Sequence, residues 1–234
     1  MPLGVIVNVL AVALGGLIGA KAGSRLSAEF REKMTRLFGI CSMGIGIASV
    51  VGMKNMPAVV LALILGTSLG ILIHLGDALD RGGKWLAGRF PTPAGGGDRG
   101  LLVTAVVLFC ASGTGIYGSI VSGMSGDHSI LLAKSMLDIF TAMIFSATLG
   151  LAVSAIAIPQ AAIFLALFLA AKALFPLTTP SMVDDFKACG GMIMIATGFR
   201  IAKLGDFPIA DMLPALVLVW PLSWAWTAWI VPLL

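Results

Sequence analysis

Apolar runs of about 20 residues recur along this sequence and constrain its fold more than any other feature. A helix of that length spans the hydrocarbon core of a bilayer, and several runs reach it between short charged or glycine-rich breaks. Hydrophobic residues make up 59% of the chain and charged residues only 11%, whereas a soluble domain carries about 25% charged residues. The sequence therefore predicts an integral membrane protein whose main partner is the lipid bilayer.

Charges, prolines and glycines divide the chain into predicted membrane spans. The predicted fold is all-α: a polytopic membrane helix bundle of about eight transmembrane helices, some of them broken or re-entrant. Pro159 is expected to end the fifth helix, because proline disrupts a helix interior. The spans are about 3–23, 32–53, 57–76, 100–122, 129–157, 159–175, 181–204 and 208–232.

A short interfacial helix and a linker are predicted at 77–99, after the third span. Leucines recur there at helical spacing among charged residues, from Leu75 to Leu86, a pattern typical of a helix lying in the membrane interface. The glycine- and proline-rich stretch PTPAGGGDRG at 91–100 follows as a flexible connection.

Basic residues are distributed unevenly between the two sides of the predicted bundle. The connections after spans one, three and seven carry eleven lysines and arginines, against four elsewhere. Because cytoplasmic loops are enriched in basic residues, both termini are predicted on the non-cytoplasmic side. Basic residues in these connections account for the net charge of +4. No nucleic acid partner is therefore expected.

The two ends of the chain resemble each other in layout. LSAEFREKMTRLFGICSMGIGI followed by NMPAVVLALILG matches TTPSMVDDFKACGGMIMIATGF followed by DMLPALVLVW, so Asn55 corresponds to Asp211. Matching spans one to three with spans six to eight predicts an inverted repeat, a common transporter architecture. The predicted single membrane domain, 1–234, then has repeat one at about 1–76, central helices at 100–157 and repeat two at about 159–234; chance similarity of glycine-rich helices is the alternative.

Ionisable residues within apolar sequence mark the first predicted site, between Gly113 and Asp138. A charge at membrane depth costs about 3 kcal/mol or more, so it usually faces a partner or water. Lys134 and Asp138 are spaced for an ion pair on one helix face, and the preceding glycines favour a broken helix facing Asp127. The pathway candidates are Asp127, His128, Ser129, Lys134, Asp138, Asn55 and Asp211.

Structural interpretations of these residues stay open beside the functional one. Asp127 and Ser129 are also suited to cap a helix, and Lys134 with Asp138 to lock two spans together. Asn55 and Asp211 precede matching Pro-Ala steps and favour helix caps. Asn8 and Gln160 are among the polar residues suited to hydrogen-bond a neighbouring helix. Small-residue spacing predicts helix packing, within or between protomers, at Gly15, Gly19, Gly23, Gly66 and Gly70.

Common signatures of enzymes and cofactor sites are missing from the sequence. It contains no Walker loop, HExxH, CxxC or GxSxG motif. Its three cysteines lie apart in apolar stretches, with no spacing for a metal site. We therefore expect no enzyme activity, no catalytic residues, no metal and no cofactor.

The segments GDHSILLAKSMLD, SATLGLAVSAIAIPQ, GGLIGA, FGICSMGIGI and DMLPAL together resemble the YqgA and YdfK type of bacterial inner-membrane protein, a domain of unknown function. The resemblance runs along essentially the whole chain. It implies a polytopic protein of the cytoplasmic membrane, often labelled a transport protein, and supplies no substrate.

The combined features predict a small secondary transporter of ions or small solutes, acting as a homo-oligomer. An inverted layout, ionisable groups within spans and glycine-rich helices favour that function. The alternatives are a non-transporting assembly or scaffold module of the membrane, and an ion channel.

Overall fold

The computed structural model describes residues 1–22, 27–90 and 99–233, and every regular element in them is helical. Short helical turns also occur at Phe175–Leu177 and between Trp226 and Leu233. The helices are α1 (Leu3–Ala22), α2 (Ala28–Val50), α3 (Met56–Leu72), α4 (Leu75–Ala87), α5 (Arg99–Cys110), α6 (Gly113–Ser125), α7 (Ser129–Leu149), α8 (Ala152–Leu174), α9 (Pro180–Ile201), α10 (Ile209–Met212) and α11 (Ala215–Ala225).

Five stretches of the described chain are long and apolar enough to cross a membrane. They are Leu3–Lys21, Gly100–Ser125, Ser129–Leu149, Ala152–Leu177 and Ala215–Leu233, and α3 with α4 makes a sixth if the two count as one span. The all-α membrane fold is therefore confirmed. The number of eight spans stays a prediction, because α2 and α9 are long enough but carry several charged residues.

Two compact units divide the chain, and each is built from two separate segments. Unit 1 comprises Met1–Arg36 with Ala78–Lys172, and unit 2 comprises Leu37–Asp77 with Ala173–Leu234. The helices α1, α5, α6 and α7 belong to unit 1 together with most of α4 and α8. Unit 2 contains α3, α9, α10, α11 and most of α2.

In unit 1, α1 and α7 run in the same direction with their backbones in close contact. A side chain at Gly15 would overlap the Ile139 carbonyl, and one at Gly19 would overlap Met143. Glycine allows this approach because it has no Cβ. The apolar core beside these helices includes Val12, Leu102, Phe109 and Ile156.

The boundary between α7 and α8 differs from the prediction that Pro159 ends the fifth span. Pro159 lies inside α8, and the chain turns instead at Gly150 and Leu151. Gly150 has φ 61° and ψ −144°, a conformation reached essentially by glycine alone. Proline is tolerated in a membrane helix because neighbouring groups satisfy the freed carbonyl, so the predicted boundary was wrong.

In unit 2, α2 crosses α9 in the opposite direction through two pairs of glycines. A Cβ on Gly39 would lie 2.6 Å from the Gly198 carbonyl oxygen, and a Cβ on Gly46 would lie 2.6 Å from that of Gly191. The reverse distances are also 2.6 Å in both pairs. The contact is therefore nearly symmetric about its centre.

Candidate functional site

A buried ion pair lies in α7 of unit 1. Lys134 Nζ donates to Asp138 Oδ1 at 2.7 Å and to Oδ2 at 2.5 Å. Their side chains are only 5% and 8% exposed. The ion pair predicted from the four-residue spacing is present, and its burial in an apolar helix means that neither charge can be lost without a large desolvation penalty on the other.

Two amide side chains extend this ion pair to neighbouring helices. Asn8 of α1 donates through Nδ2 to Asp138 Oδ2 at 2.9 Å, with a longer contact of 3.3 Å to Ser135 Oγ. Gln160 of α8 donates through Nε2 to Asn8 Oδ1 at 2.8 Å. Asn8 and Gln160 are completely buried. Three membrane-capable segments thus share one polar cluster, which we call the α7 polar site: Asn8, Lys134, Ser135, Asp138 and Gln160.

One acceptor in the α7 polar site has no hydrogen-bond partner. The Gln160 Oε1 atom is buried and receives no hydrogen bond, although its Nε2 is bonded to Asn8. A buried polar atom left unpaired is destabilising by about 1–3 kcal/mol, so nearly all such atoms find a donor, a water molecule or an ion. This carbonyl oxygen is therefore available to a ligand.

The span beside the α7 polar site is broken, although not where the sequence predicted. The glycine-rich stretch is a continuous helix, α6, in which Gly115 and Gly118 pack against Phe164 and Leu131. The interruption falls earlier, at Ala111 and Ser112, between α5 and α6. The glycines were misread because they serve close packing, and a membrane helix keeps its backbone hydrogen bonds unless another partner replaces them.

The break is stabilised locally and lies near the ion pair. Ser112 has extended backbone angles and its hydroxyl accepts from the Gly115 N–H at 3.2 Å, capping α6. Both α5 and α6 pack against α7, the helix that carries the ion pair, and Cys110 is the last residue of α5. A helix C-terminus carries partial negative charge, so the end of α5 provides a favourable environment for a cation.

The first-ranked sequence candidates lie in the loop before α7 rather than in the buried cluster. Asp127 Oδ1 accepts from the backbone N–H of Ser129 at 3.0 Å and from its hydroxyl. His128 Nδ1 is 2.7 Å from Ser122 Oγ, and its side chain makes no helix-capping bond. Asp127 and His128 are half-buried and Ser129 is exposed, so this group has the geometry of a loop turn.

Unit 2 contains a second buried carboxylate, Asp185 of α9, which the sequence analysis did not select. It is completely buried. Its Oδ1 accepts from the backbone N–H groups of Lys54 and Asn55 at 2.9 and 2.8 Å. Its Oδ2 accepts from Asn55 Nδ2 at 2.8 Å and Ser223 Oγ at 2.6 Å. Sequence alone did not distinguish Asp185 from the adjacent Asp184, because both fit the pattern of charged residues near the start of a helix.

Asn55 and Asp211 both take part in unit 2, but neither side chain caps its own helix. Asn55 bonds to Asp185 and, at 3.1 Å, to Thr227 Oγ1. Asp211 lies within the short α10 and accepts from the Gly76 N–H at 2.8 Å. Asn55 occupies the predicted N-cap position of α3 without a side-chain capping bond, whereas the N-cap prediction was wrong for Asp211, which lies inside α10. Asp211 instead accepts from the N-terminal end of α4, and the Asn55 amide bonds to two side chains of other elements.

The predicted packing glycines that the structure describes make contacts within the chain. Besides Gly15 and Gly19, Gly66 lies against Ala215 and Gly70 against Asp211, where a Cβ would overlap backbone atoms. Gly23 lies outside the described residues. These contacts occupy the glycine faces inside one protomer.

One sequence offset recurs in both units. Gln160 and Asn8 are bonded across 152 positions in unit 1. In unit 2, Ser42 Oγ donates to the Met194 carbonyl at 3.1 Å, also across 152 positions. The same offset also relates the two glycine pairs between α2 and α9. Gly39 of one pair lies 152 positions before Gly191 of the other, and Gly46 lies 152 positions before Gly198. This offset also aligns the two similar segments that begin at Leu26 and Thr178.

The apolar helices and the buried polar cluster between them define a polytopic α-helical membrane protein. The chain belongs to the family described as "Protein of unknown function (DUF554)", whose model matches residues 3–224. It is 48% identical to "Uncharacterized protein YqgA" of Escherichia coli (strain K12) over 98% of this chain and 99% of that protein.

A second relative extends the membrane assignment. The chain is 23% identical to "Uncharacterized membrane protein YdfK" of Bacillus subtilis (strain 168), over 92% of this chain and 93% of that protein. No solved structure matches the chain.

Proposed function

We propose that this protein is a small secondary transporter that moves ions or small solutes across the bacterial cytoplasmic membrane. The observation that carries the proposal is the buried Lys134–Asp138 ion pair, bonded through Asn8 to a second and a third membrane-capable segment. Ionisable groups within membrane segments are expensive and typically mark ion or substrate pathways. The adjacent break between α5 and α6 supports the same function, because transporter sites are typically formed at discontinuous helices.

An inverted repeat is part of this proposal. The offset of 152 residues makes Asn8 and Gln160 equivalent positions of repeats one and two, and they are bonded to each other. The proposed substrate site thus lies at a contact between the repeats, where transporters of this architecture bind their substrates. Both termini are proposed on the non-cytoplasmic side. Alkaline phosphatase fused to the C-terminus would then be active, whereas a green fluorescent protein fusion would be dark.

Transport can be tested on purified protein in proteoliposomes with a solid-supported-membrane electrode. Concentration jumps of alkali chlorides, ammonium, phosphate and amino acids would cover cations, anions and zwitterions. We expect a saturable current for one class and a loss of at least about tenfold in Asp138→Asn, because the substitution removes the charged partner of the buried Lys134 ammonium in the proposed pathway. Asp127→Asn, in the loop, is the matched control.

Two outcomes would replace the proposal. Flux that rises with concentration without saturating would identify a channel. No current for any solute, from wild-type protein that remains folded and monodisperse, would favour an assembly module. The proposed homo-oligomer is tested on the same preparation by native mass spectrometry.

A further inference from the structure

One face of α4 is packed inside unit 1, and this contact fixes the direction of the opposite face. Gly83 is buried, and a Cβ built on it would overlap the Val107 side chain of α5. Leu86 and Phe90 pack against the apolar core of the same unit. Because these positions recur at the spacing of one helix face, the other side of α4 points away from the core of the unit.

That other side carries two arginines with a tryptophan between them. Arg81 and Trp85 are one helical turn apart, and Arg89 follows one turn later, just after the end of α4. All three are exposed, and 64% of the Trp85 surface is accessible. The guanidinium carbon of Arg89 lies 4.5 Å from the centroid of the Trp85 ring, within the range of a cation–π contact. We call these three residues the α4 outer face.

The two arginines of the α4 outer face have no acidic partner, although α4 contains two aspartates. Asp80 Oδ2 lies 2.8 Å from Lys84 Nζ. Asp77 Oδ2 lies 3.8 Å from His74 Nδ1. Within the described parts of the chain, neither arginine forms an ion pair. Their guanidinium groups are therefore available to an anion, and a guanidinium matches the oxygens of a phosphate through two parallel N–H donors.

We propose that the α4 outer face binds the phosphate groups of anionic phospholipids at the membrane surface. Basic residues beside a membrane span are attracted to anionic lipids, and each one strengthens binding about fivefold. Tryptophan favours the level of the headgroups, because its ring is apolar and its N–H is polar. The connection that contains this face is rich in basic residues and is predicted on the cytoplasmic side. The inference does not depend on the transporter function proposed above.

A lipid fits the α4 outer face better than two other sources of negative charge. A soluble phosphate would gain nothing from the exposed Trp85 ring, whereas a lipid headgroup lies at the depth that such a ring prefers. An acidic protein partner would typically bury an apolar core within its interface, and this face offers a single apolar ring between two charges. Charge and ring together therefore favour the surface of an anionic bilayer.

Binding can be measured by native mass spectrometry of the protein in detergent, titrated with phosphatidylglycerol, phosphatidylcholine or inorganic phosphate. We expect phosphatidylglycerol to bind most tightly. The double variant Arg81→Gln with Arg89→Gln should weaken that affinity at least about tenfold and leave phosphatidylcholine binding unchanged. Lys84→Gln is the matched control, because it removes a positive charge from the same helix that Asp80 already neutralises. Its affinity should stay within about twofold of wild type.

Trp85 provides a local readout in a bilayer, because brominated lipids quench tryptophan fluorescence on contact. The difference between wild type and Trp85→Phe isolates the contribution of this ring from that of the other tryptophans. In proteoliposomes, brominated phosphatidylglycerol should quench this contribution more strongly than the same mole fraction of brominated phosphatidylcholine. The excess should disappear when Arg81→Gln and Arg89→Gln are introduced. The comparison of the two lipids needs only the exposed Trp85→Phe change, so it does not depend on the folding of the arginine variant.

Three results would overturn the inference. Equal quenching of Trp85 by the two brominated lipids would show that this face does not select anionic headgroups and would leave its arginines to a soluble acidic partner. An equal loss of affinity in Lys84→Gln would show that binding follows the overall charge of α4 rather than the unpaired arginines. Inorganic phosphate that displaces phosphatidylglycerol at a similar concentration would assign the face to a soluble phosphate instead of a lipid.

Discussion

Asn55 donates two hydrogen bonds to one carboxylate, since its backbone N–H reaches Asp185 Oδ1 and its Nδ2 reaches Oδ2, each at 2.8 Å. The neighbouring Lys54 N–H adds a third, at 2.9 Å. Asp185 therefore acts as the N-terminal cap of α3 from a different helix. A negative charge is stabilised at that end of a helix by the partial positive charge of the free N–H groups.

Asp185→Ala should destabilise the protein strongly. The change leaves the donors from Lys54, Asn55 and Ser223 without their acceptor in a buried environment. We expect a loss of about 3 kcal/mol in the free energy of unfolding, at the upper end for a charged hydrogen-bonding group. The measurement is thermal unfolding in detergent, followed by tryptophan fluorescence. Asp184→Ala is the control, because the adjacent side chain is partly exposed and lies 4.0 Å from Lys54 Nζ; an equal loss there would contradict the role of Asp185.

Replacing both members of the α7 ion pair should separate stability from transport. Asp138→Leu alone leaves Lys134 buried without a partner, at a cost of about 3–5 kcal/mol. The double variant Lys134→Leu with Asp138→Leu should regain most of that loss, because it removes both desolvation penalties. Melting temperature and transport are measured on the same preparation. Recovery of stability without recovery of flux is expected, and recovery of both would show that the pair is only structural.

The bond between Asn8 and Gln160 should produce energetic coupling between two helices. A double-mutant cycle of Asn8→Ala and Gln160→Ala isolates it, because each single variant removes the same bond. We expect a coupling energy of about 0.6–1.7 kcal/mol, the range for hydrogen bonds between membrane helices. Unfolding in a graded detergent and dodecyl sulfate mixture provides the free energies. Additive effects would show that the two amides act independently.

Gly19→Leu should disrupt unit 1, because a side chain at this position meets the backbone of Met143. Overpacking that displaces a backbone typically destabilises by about 1–3 kcal/mol or more. Gly44→Leu should be tolerated, since no atom lies within 4 Å of a Cβ built there. Yield of monodisperse protein and melting temperature give the comparison. If Gly19→Leu changed only the oligomeric state, its helix face would be an interface between protomers.

The three cysteines should differ in reactivity. Cys41 is exposed on the protein surface, whereas Cys110 and Cys189 are buried. Maleimide modification depends on access to the thiolate, so intact mass measurement should show one adduct before denaturation and three afterwards. A Cys41→Ser variant should show none before denaturation. Modification of Cys110 in the folded protein would indicate a water-accessible path to the end of α5.

The membrane fold was predictable because it follows from the composition and from the length of the apolar stretches, which are local properties of the sequence. The Lys134–Asp138 pair was predictable for the same reason, since it depends on one helical turn. Asp185 was not, because its donors lie about 130 positions away and its neighbour Asp184 gives the same local signal. The turn at Gly150 was also missed, because the helix end was assigned to Pro159 instead. Proline usually disrupts a helix interior, but it is tolerated inside α8, where neighbouring groups in a membrane helix satisfy the freed carbonyl.

Asn8 and Gln160 show how far a repeat can guide the choice of site residues. Each was one polar residue among several in apolar sequence. The two residues are 152 positions apart, and so are the similar segments that begin at Leu26 and Thr178. Aligning those segments would therefore have identified Asn8 and Gln160 as a pair. The two side chains differ in length and each has apolar neighbours in the sequence, so local sequence identity alone does not relate them, although they are bonded to each other.

The capping of α3 by Asp185 also fixes an order of events at the ribosome. Lys54 and Asn55 are synthesised about 130 residues before the carboxylate that they require. The ribosome adds about 5–20 residues per second. The N–H groups at the N-terminal end of α3 therefore lack their acceptor for several seconds or more. A nascent chain interrupted before α9 thus lacks the carboxylate that accepts from the backbone N–H groups of Lys54 and Asn55.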